Sequence, residues 1–335
     1  MKNKNEKGSV LVAVLWLLAM LAIFSWSVAR QASQELIFSS WLRDRVMGRS
    51  LVRGAIQRTV FELQQDKFKT FDSLNENWAN NPDAFQNIPM GSGHFTVSCG
   101  QNENLLFGAC DESARISINK ADEQLLDNLF ITVDPTMGKE GAMQIARAVI
   151  DWRDTDTNPL DQGAESDYYE KGKNPYPARN GDFQSVEELN MVRGVTPEIF
   201  EKVKPFVTVY SEGKVNINTA SKTVLRVLGL SDTLADKVLQ FRRGADNQLG
   251  TKDDEIFQDV SQITPALSAS KNFSGEEYEQ IANAVAKGWV GVTSQIFRVH
   301  AKGLLNRESR KTDTLVTCVV KRDGSILYWK EGEEA

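Results

Sequence analysis

Two histidines and three cysteines among 335 residues leave little with which to build a zinc site or a His-based catalytic relay. The sequence carries no P-loop, dinucleotide-binding fingerprint, G-x-S-x-G elbow or zinc-ligand spacing. Gly91-Ser92-Gly93-His94 is too short a fragment to count as a hydrolase site. Positive charge is not in excess either. Lys plus Arg number 39 against 45 Asp plus Glu, and a net charge of −6 gives the chain no electrostatic pull on nucleic acid or anionic lipid. An enzyme is not expected, and a secreted calcium-dependent hydrolase ranks last among the functions the residues allow. What is abundant is carboxylate oxygen, so any bound metal is expected to be hard, with calcium the natural choice.

Charge is missing altogether from Gly8 to Ala29. Those 22 residues would span about 33 Å as a helix, enough to cross a hydrocarbon core of about 30 Å. Lys2, Lys4 and Lys7 precede the span and predict a cytoplasmic N-terminus, with everything after residue 30 on the far side. Ser27-Val28-Ala29 resembles a signal-peptide cleavage site, but such signals carry an apolar stretch of only about 7–15 residues. Here the pattern also continues. Phe38, Leu42 and Val46, then Val52, Ile56, Val60 and Leu63, recur at helical spacing. One helix over about 9–65 is predicted, half in the membrane and half packed on a folded body.

Cys99 and Cys110 flank a Gly/Asn-rich stretch between strand-like runs. Outside the cytosol they either close a small disulfide loop, worth about 3 kcal/mol in the chain-entropy account, or are two separate buried thiols. Cys318, in the alternating run TLVTCVV, reads as a buried strand residue.

From 115 to 290 the signal changes to helices, turns and acidic loops, and the segment repeats itself. Ile118, Asn119, Ala121, Leu126 and Leu129 correspond to Ile217, Asn218, Ala220, Leu225 and Leu228. The helices IARAVIDWR and LADKVLQFR align, an acidic loop follows each, and Phe183-QSVEEL answers Phe257-QDVSQI. Repeat one is placed at 115–210 and repeat two at 211–290. Asn119 and Asn218, or the residue after each, are expected to cap the first helices.

The first acidic loop presents Asp154, Asp156, Asn158 and Glu165 at positions 1, 3, 5 and 12 of a calcium-loop spacing. Pro159 occupies the position where an EF-hand needs glycine, so a calcium loop of another kind is expected, with Asp161 and Asp167 as further ligands. The second loop offers Asp246, Asn247, Asp253, Asp254 and Glu255 between Gly244 and Gly250, with less diagnostic spacing. Clustered carboxylates repel unless a cation neutralises them, and two structural calcium sites are predicted.

Three resemblances extend this reading. A short basic leader ending in Gly8 before an apolar helix resembles the type IV pilin class, which implies cleavage by a prepilin peptidase between Gly8 and Ser9 and methylation of the new terminus. That class has glutamate at the fifth mature position, where this chain has Ala13. The pattern V-N-I-N-T-A-x-x-x-L-x-x-L-G resembles helix-hairpin-helix (SAM-like) modules, which keeps a DNA-binding competence-type pilin as the rival function. Against it, Asp232 and Asp236 follow the hairpin Gly229-Leu230-Ser231 in place of a basic cluster. The apolar segment GSVLVAVLWLLAML, the lack of glutamate at Ala13, DW-x-D-x-D with GAE-x-DYY, and V-x-GVTPE together resemble the K minor pseudopilins (GspK) of type II secretion systems, from Lys7 almost to the C-terminus.

That resemblance implies an α+β fold: a pilin-like body, of a long N-terminal helix plus antiparallel β-sheet, carrying a large inserted all-α domain with two helix-hairpin-helix repeats and bound calcium. It also implies a single-pass inner-membrane protein with a periplasmic body at the pseudopilus tip. The expected partners are the I and J minor pseudopilins, the major pseudopilin, the inner-membrane assembly platform and prepilin peptidase, with no nucleic acid. The body is assigned to 66–114 and 291–335. Its strands are read at His94–Cys99, Ala114–Ile118, Val292–Ala301, Thr312–Lys321 and Ser325–Trp329, and His94 and His300 are read as structural.

Overall fold

The computed structural model of the chain describes residues 6–66, 70–100, 105–172, 174–269, 273–305 and 312–332. It opens with one unbroken helix, α1 (Glu6–Gln65), which contains no proline. Residues 1–5 of the expected leader lie outside the described residues. Among the described residues α1 is the one helix long and apolar enough to cross a membrane. Its side chains from Ser9 to Ser39 are all exposed. Leu51, Val52, Ala55, Ile56, Thr59 and Leu63 then turn one buried stripe towards a sheet. Packing starts later than the spacing predicts. Phe38, Leu42 and Val46 remain 63%, 48% and 55% exposed, because the sheet reaches up the helix only as far as Gly48. There the backbone closes on Thr314, whose hydroxyl a Cβ at Gly48 would overlap.

Beyond α1 lie the one-turn helix α2 (Pro82–Phe85) and strands β1 (Ile88–Met90), β2 (Gly93–Ser98), β3 (Cys110–Asp111) and β4 (Ile116–Ser117). The next segment carries helices α3 (Glu123–Val133), α4 (Gly138–Arg153), α5 (Ser166–Tyr169) and α6 (Pro197–Val203), then β5 (Val207–Thr208). A second helical stretch follows, with β6 (Val215–Asn216), α7 (Lys222–Val227), α8 (Asp232–Arg242), α9 (Ile263–Ser268), α10 (Gly275–Ala286) and β7 (Val290–Gly291). The chain ends in β8 (Ile296–Leu305), β9 (Thr312–Lys321) and β10 (Ile326–Glu331).

The main sheet runs β1-β2-β8-β9-β10, all antiparallel, with β3 also paired to β8. Ser98 pairs with His300 and Cys110 with Arg298, so β2 and β3 are successive neighbours along the same strand. That adjacency brings Cys99 and Cys110 together as a disulfide with a Cα–Cα distance of 5.3 Å. Cys318 is a buried free thiol at the centre of β9, and burial pushes its pKa up to about 11. The run 114–118, read as a strand of this sheet, departs from that reading: Glu112–Ala114 is a helical turn and β4 pairs with β5 instead. The other correction is β8, which begins four residues later than read because Ser294 is spent on a polar contact with Asp72.

The helical segment has its own core, separate from the core under α1. It is not purely α-helical. Two short parallel pairs close it: Ile116 with Val207 and Ser117 with Thr208, then Val215 with Val290 and Asn216 with Gly291. Each pair joins the two ends of one helical stretch. Equivalent contacts recur inside. Asn119 grips the backbone of Phe183 through N–H···Oδ1 at 2.7 Å and Nδ2–H···O at 3.0 Å. Asn218 does the same to Phe257 at 2.9 Å and 2.9 Å. Arg153 and Arg242, at the ends of α4 and α8, donate to the Ala121 and Ala220 carbonyls at 2.5 and 2.6 Å. Trp152 stacks on Phe183 and Phe241 on Phe257.

These contacts correct the expected caps. Asp122 and Ser221, three residues after the asparagines, accept from Leu125 and Val224 and start α3 and α7. The asparagines are held elsewhere, as two-bond clamps on a distant loop. Asn218→Ala leaves a buried N–H and C=O of Phe257 without partners, each costing about 1–3 kcal/mol. The full chain in detergent is expected to lose about 2–4 kcal/mol of stability in denaturant titration. A loss below about 0.5 kcal/mol would show that the clamp is dispensable.

Candidate metal centre

Helix α4 ends in Asp151-Trp152-Arg153, and the chain then turns through the first acidic loop into α5. Three-residue spacing sets Asp151 and Asp154 on the same side of the helix end. Glu165, on the returning strand of the loop, meets them: one carboxylate oxygen each from Asp151, Asp154 and Glu165 lie within 4.8 Å of one another. Asp151 is fully buried and Glu165 is 3% exposed. Gly163 makes the closure possible, since a Cβ there would overlap the Asp151 carboxylate. Both Asp151 oxygens accept from the Leu160 N–H at 3.2 Å.

Most of the remaining oxygens in this cradle lack donors. Both Glu165 oxygens and Asp154 Oδ1 are buried without a hydrogen-bond partner. Burial, with the charges of Asp154, Asp151 and Asp156, pushes Glu165 up to about 7. Burial likewise raises Asp151 and Asp154. A buried, donor-poor set of carboxylates is unfavourable alone and suits a hard cation with oxygen ligands. Nearby, Asn180 Oδ1 is another buried oxygen without a donor, and its Nδ2 donates to the Asp156 carbonyl at 3.3 Å.

Of the residues singled out from sequence, Asp154 and Glu165 enter this cluster. Asp156 stands at its exposed mouth, where its carboxylate accepts from the Asn158 N–H at 2.8 Å. Asn158 is exposed. Asp161 faces outward to Arg147, which reaches its carbonyl at 2.9 Å and its carboxylate at 3.4 Å. Asp167 is an exposed residue of the first turn of α5. Asp151 was missed, although it stands in the DW-x-D-x-D motif; its register on the last turn of α4 is the signal that finds it.

The second loop is organised differently. Asp253 accepts from the Ala245 and Asp246 N–H groups at 2.8 and 2.9 Å and from the Thr251 hydroxyl at 2.7 Å. These bonds, the Thr251 hydroxyl's foremost, hold its pKa down at about 2. Asp254 accepts from the Gly250 N–H at 2.7 Å, and Asp246 from the Gln248 N–H at 2.8 Å. Asn247 and Glu255 are exposed. The loop's own donors thus occupy these carboxylates, and the loop docks on the sheet body through Asn80, which donates to the Gly250 carbonyl at 2.9 Å.

The hairpin cations are similarly occupied. Lys222 pairs with Asp236 at 2.7 Å and Asp232 at 3.4 Å, and Arg226 pairs with Asp232 at 2.8 Å. A phosphate backbone would have to displace these partners.

Comparison with known proteins bears on the whole chain. Residues 103–212 match the family described as type II secretion system (T2SS), protein K. The chain is 22% identical to the type II secretion system protein K of Klebsiella pneumoniae over 99% of its own length and 100% of the relative's. It is 27% identical to the putative protein K of Escherichia coli K12, covering 86% and 93% of the two chains. A stretch of 81 residues, 23% of this chain and 24% of the relative, is 40% identical to protein K of Aeromonas hydrophila. In fold, the chain is similar to a chain in the crystal structure of the GspK-GspI-GspJ complex from enterotoxigenic E. coli, with TM-score 0.62, 18% identity, and coverage of 91% and 100%.

Glu165 must lose its proton to bind a cation, so affinity rises as pH climbs through about 7. Calcium titration of the full chain, followed by isothermal calorimetry, is expected to give about tenfold weaker binding at pH 6 than at pH 8. Glu165→Gln should remove this site. Equal affinity at both pH values, or unchanged binding in the variant, would exclude the cluster as the ligand set.

Proposed function

We infer that this chain, a member of the type II secretion system protein K family, is a minor pseudopilin: a structural subunit of the secretion pseudopilus. One observation carries the reading. A single helix runs without a break from an apolar, wholly exposed half to a half packed on an antiparallel sheet. It anchors the body on the far side of the inner membrane, with the N-terminus cytoplasmic. Just past the span, Ile37, Phe38, Trp41, Leu42 and Val46 stay 48–66% exposed. Large apolar side chains in that position need cover from neighbouring helices of the same kind.

The I and J minor pseudopilins fill that role best, because the protein of similar fold was solved in complex with GspI and GspJ. Ala13 at the fifth mature position supports a place at the end of the fibre, where the usual partner glutamate is not needed. The major pseudopilin, the assembly platform and prepilin peptidase, acting between Gly8 and Ser9 with methylation to follow, complete the expected set of partners. The helical segment is an inserted domain of two helix-hairpin-helix repeats, an assignment supported by the paired asparagine clamps and end-closing strands. Calcium serves a structural purpose at the Asp151–Asp154–Glu165 cluster. The second loop is a weaker calcium site, since its carboxylates already have donors. No catalytic role is proposed, and the internally paired hairpin cations count against DNA binding.

Co-expression of the full chain with candidate I and J subunits should yield a heterotrimer stable through gel filtration. Trp41→Asp with Leu42→Asp is expected to cut its recovery at least tenfold while leaving the melting temperature of the chain unchanged. Undiminished recovery, or salt-sensitive binding to duplex DNA in place of trimer formation, would reject the assignment.

A further inference from the structure

The end of α1, the loop that follows it, the β9–β10 turn and the return from the helical segment converge on one buried charged cluster. One carboxylate oxygen each of Asp66, Asp72 and Glu76 lie within 4.8 Å of one another. Arg322, from the β9–β10 turn, is the cation that serves them. It pairs with Asp66 at 2.8 Å and with Asp72, and also donates to the Leu63 carbonyl at 3.1 Å and the Ser294 carbonyl at 3.1 Å. Asp72 accepts from the Ser294 N–H at 2.6 Å, and its own N–H donates to the Val292 carbonyl at 2.7 Å. Glu76 Oε2 accepts from the Ser73 N–H and the Trp78 indole, each at 2.9 Å. Glu76 Oε1 is buried and has no donor.

Among the described residues the count of charges does not balance. Glu62, on the same helix, is matched by Arg58 at 2.6 Å. Asp111 is another buried carboxylate whose charge acts on Asp72. Lys252, from the second acidic loop, lines the adjoining cavity of about 390 Å³ together with Asp66 and Glu76, but it is itself exposed. Two carboxylates already share Arg322, so a third charge at Glu76 would face like charges with one orphaned oxygen.

We propose that the junction is closed by a single proton held on Glu76, beside the Asp66 and Asp72 carboxylates, and that loss of this proton loosens the link between the anchoring helix and the helical segment. A proton on Oε1 supplies the donor that the structure lacks and removes the third negative charge. Burial pushes Glu76 up to about 8, with Asp66 and Asp72 adding to the rise, and burial raises Asp72 to about 6. A carboxyl whose folded pKa is raised stabilises the closed form below its ordinary value of 4.5, and that contribution is lost as pH rises from there to about 8. Among the described residues Asp72, likewise raised by burial, acts in the same direction, and Arg322 stays charged throughout.

Hydrogen–deuterium exchange of the full chain in detergent micelles, corrected for intrinsic rates, reads this junction directly. Between about pH 6 and about pH 8, opening of the backbone around Ser73–Trp78 should increase by up to tenfold per pH unit. Glu76→Gln keeps an acceptor for Ser73 and Trp78 and removes the titrating group, so its profile should be flat and its protection at the upper pH greater than wild type. An equal slope in both proteins, or lower protection in the variant, would overturn the proposal. Asp66→Asn offers a second reading should Glu76→Gln fail to fold. With one neighbouring charge gone, the rise in opening should level off at lower pH, and an unchanged profile would also refute the proton on Glu76.

Discussion

A long segment inserted into a sheet must leave and return at nearly the same point, and here that point is held by a buried carboxylate gripped by neutral donors. Asp111, fully buried at the end of β3, accepts from the Ser113 N–H at 2.7 Å, the Thr219 and Ser294 hydroxyls at 2.6 Å each, and the Asn216 side chain at 3.0 Å. Those donors come from the start of the first helical stretch, the start of the second, and the return into β8. Asn216 donates in addition to the Asp72 carbonyl at 3.0 Å, so the loop after α1 joins the same network. Beside it, Glu112 is held charged although wholly buried, its pKa lowered because Arg115 and Arg298 outweigh the burial penalty. Buried polar networks of this kind stabilise only when every member is satisfied, and this one nearly is. The placement of both helical stretches on the sheet follows from it.

The repeat diverged where chemistry is concerned and not where packing is. The asparagine clamps, the terminal arginines and the aromatic stacks have the same form in both copies. The acidic loops do not. In the first, Asp154 and Glu165 turn inward oxygens that are left without donors; in the second, N–H groups and a threonine hydroxyl fold back onto the carboxylates. Negative charge in sequence therefore does not reveal whether a loop leaves its carboxylates without donors. What distinguishes the two loops is whether the backbone can reach its own carboxylates, and that depends on turn geometry.

Much of the architecture was legible from residue patterns. The uncharged run to Ala29, the helical spacing through Leu63, the alternation in 312–321 and the matched SINKA and NINTA blocks all mark real elements. What was hidden depended on contacts distant in sequence. Asn119 and Asn218 looked like helix caps because asparagine commonly is one, yet their partners lie 64 and 39 residues away. Residues 116–117 alternate like a sheet strand but pair with 207–208, a partner that no local signal announces. In the buried carboxylate cluster, Asp154 and Glu165 were readable from spacing, whereas Asp151 belongs to the preceding helix and is drawn in by the loop's return.

The two short parallel pairs have a consequence for the order in which the chain can assemble. Pairing β2 with β8 joins residues roughly two hundred positions apart, a contact whose search would be slow if everything between them were still random coil. Because each helical stretch brings its own ends side by side, its collapse shortens the effective loop before the sheet forms. The helical segment is then less a burden on the sheet's folding than the clasp that presents β8 to β2.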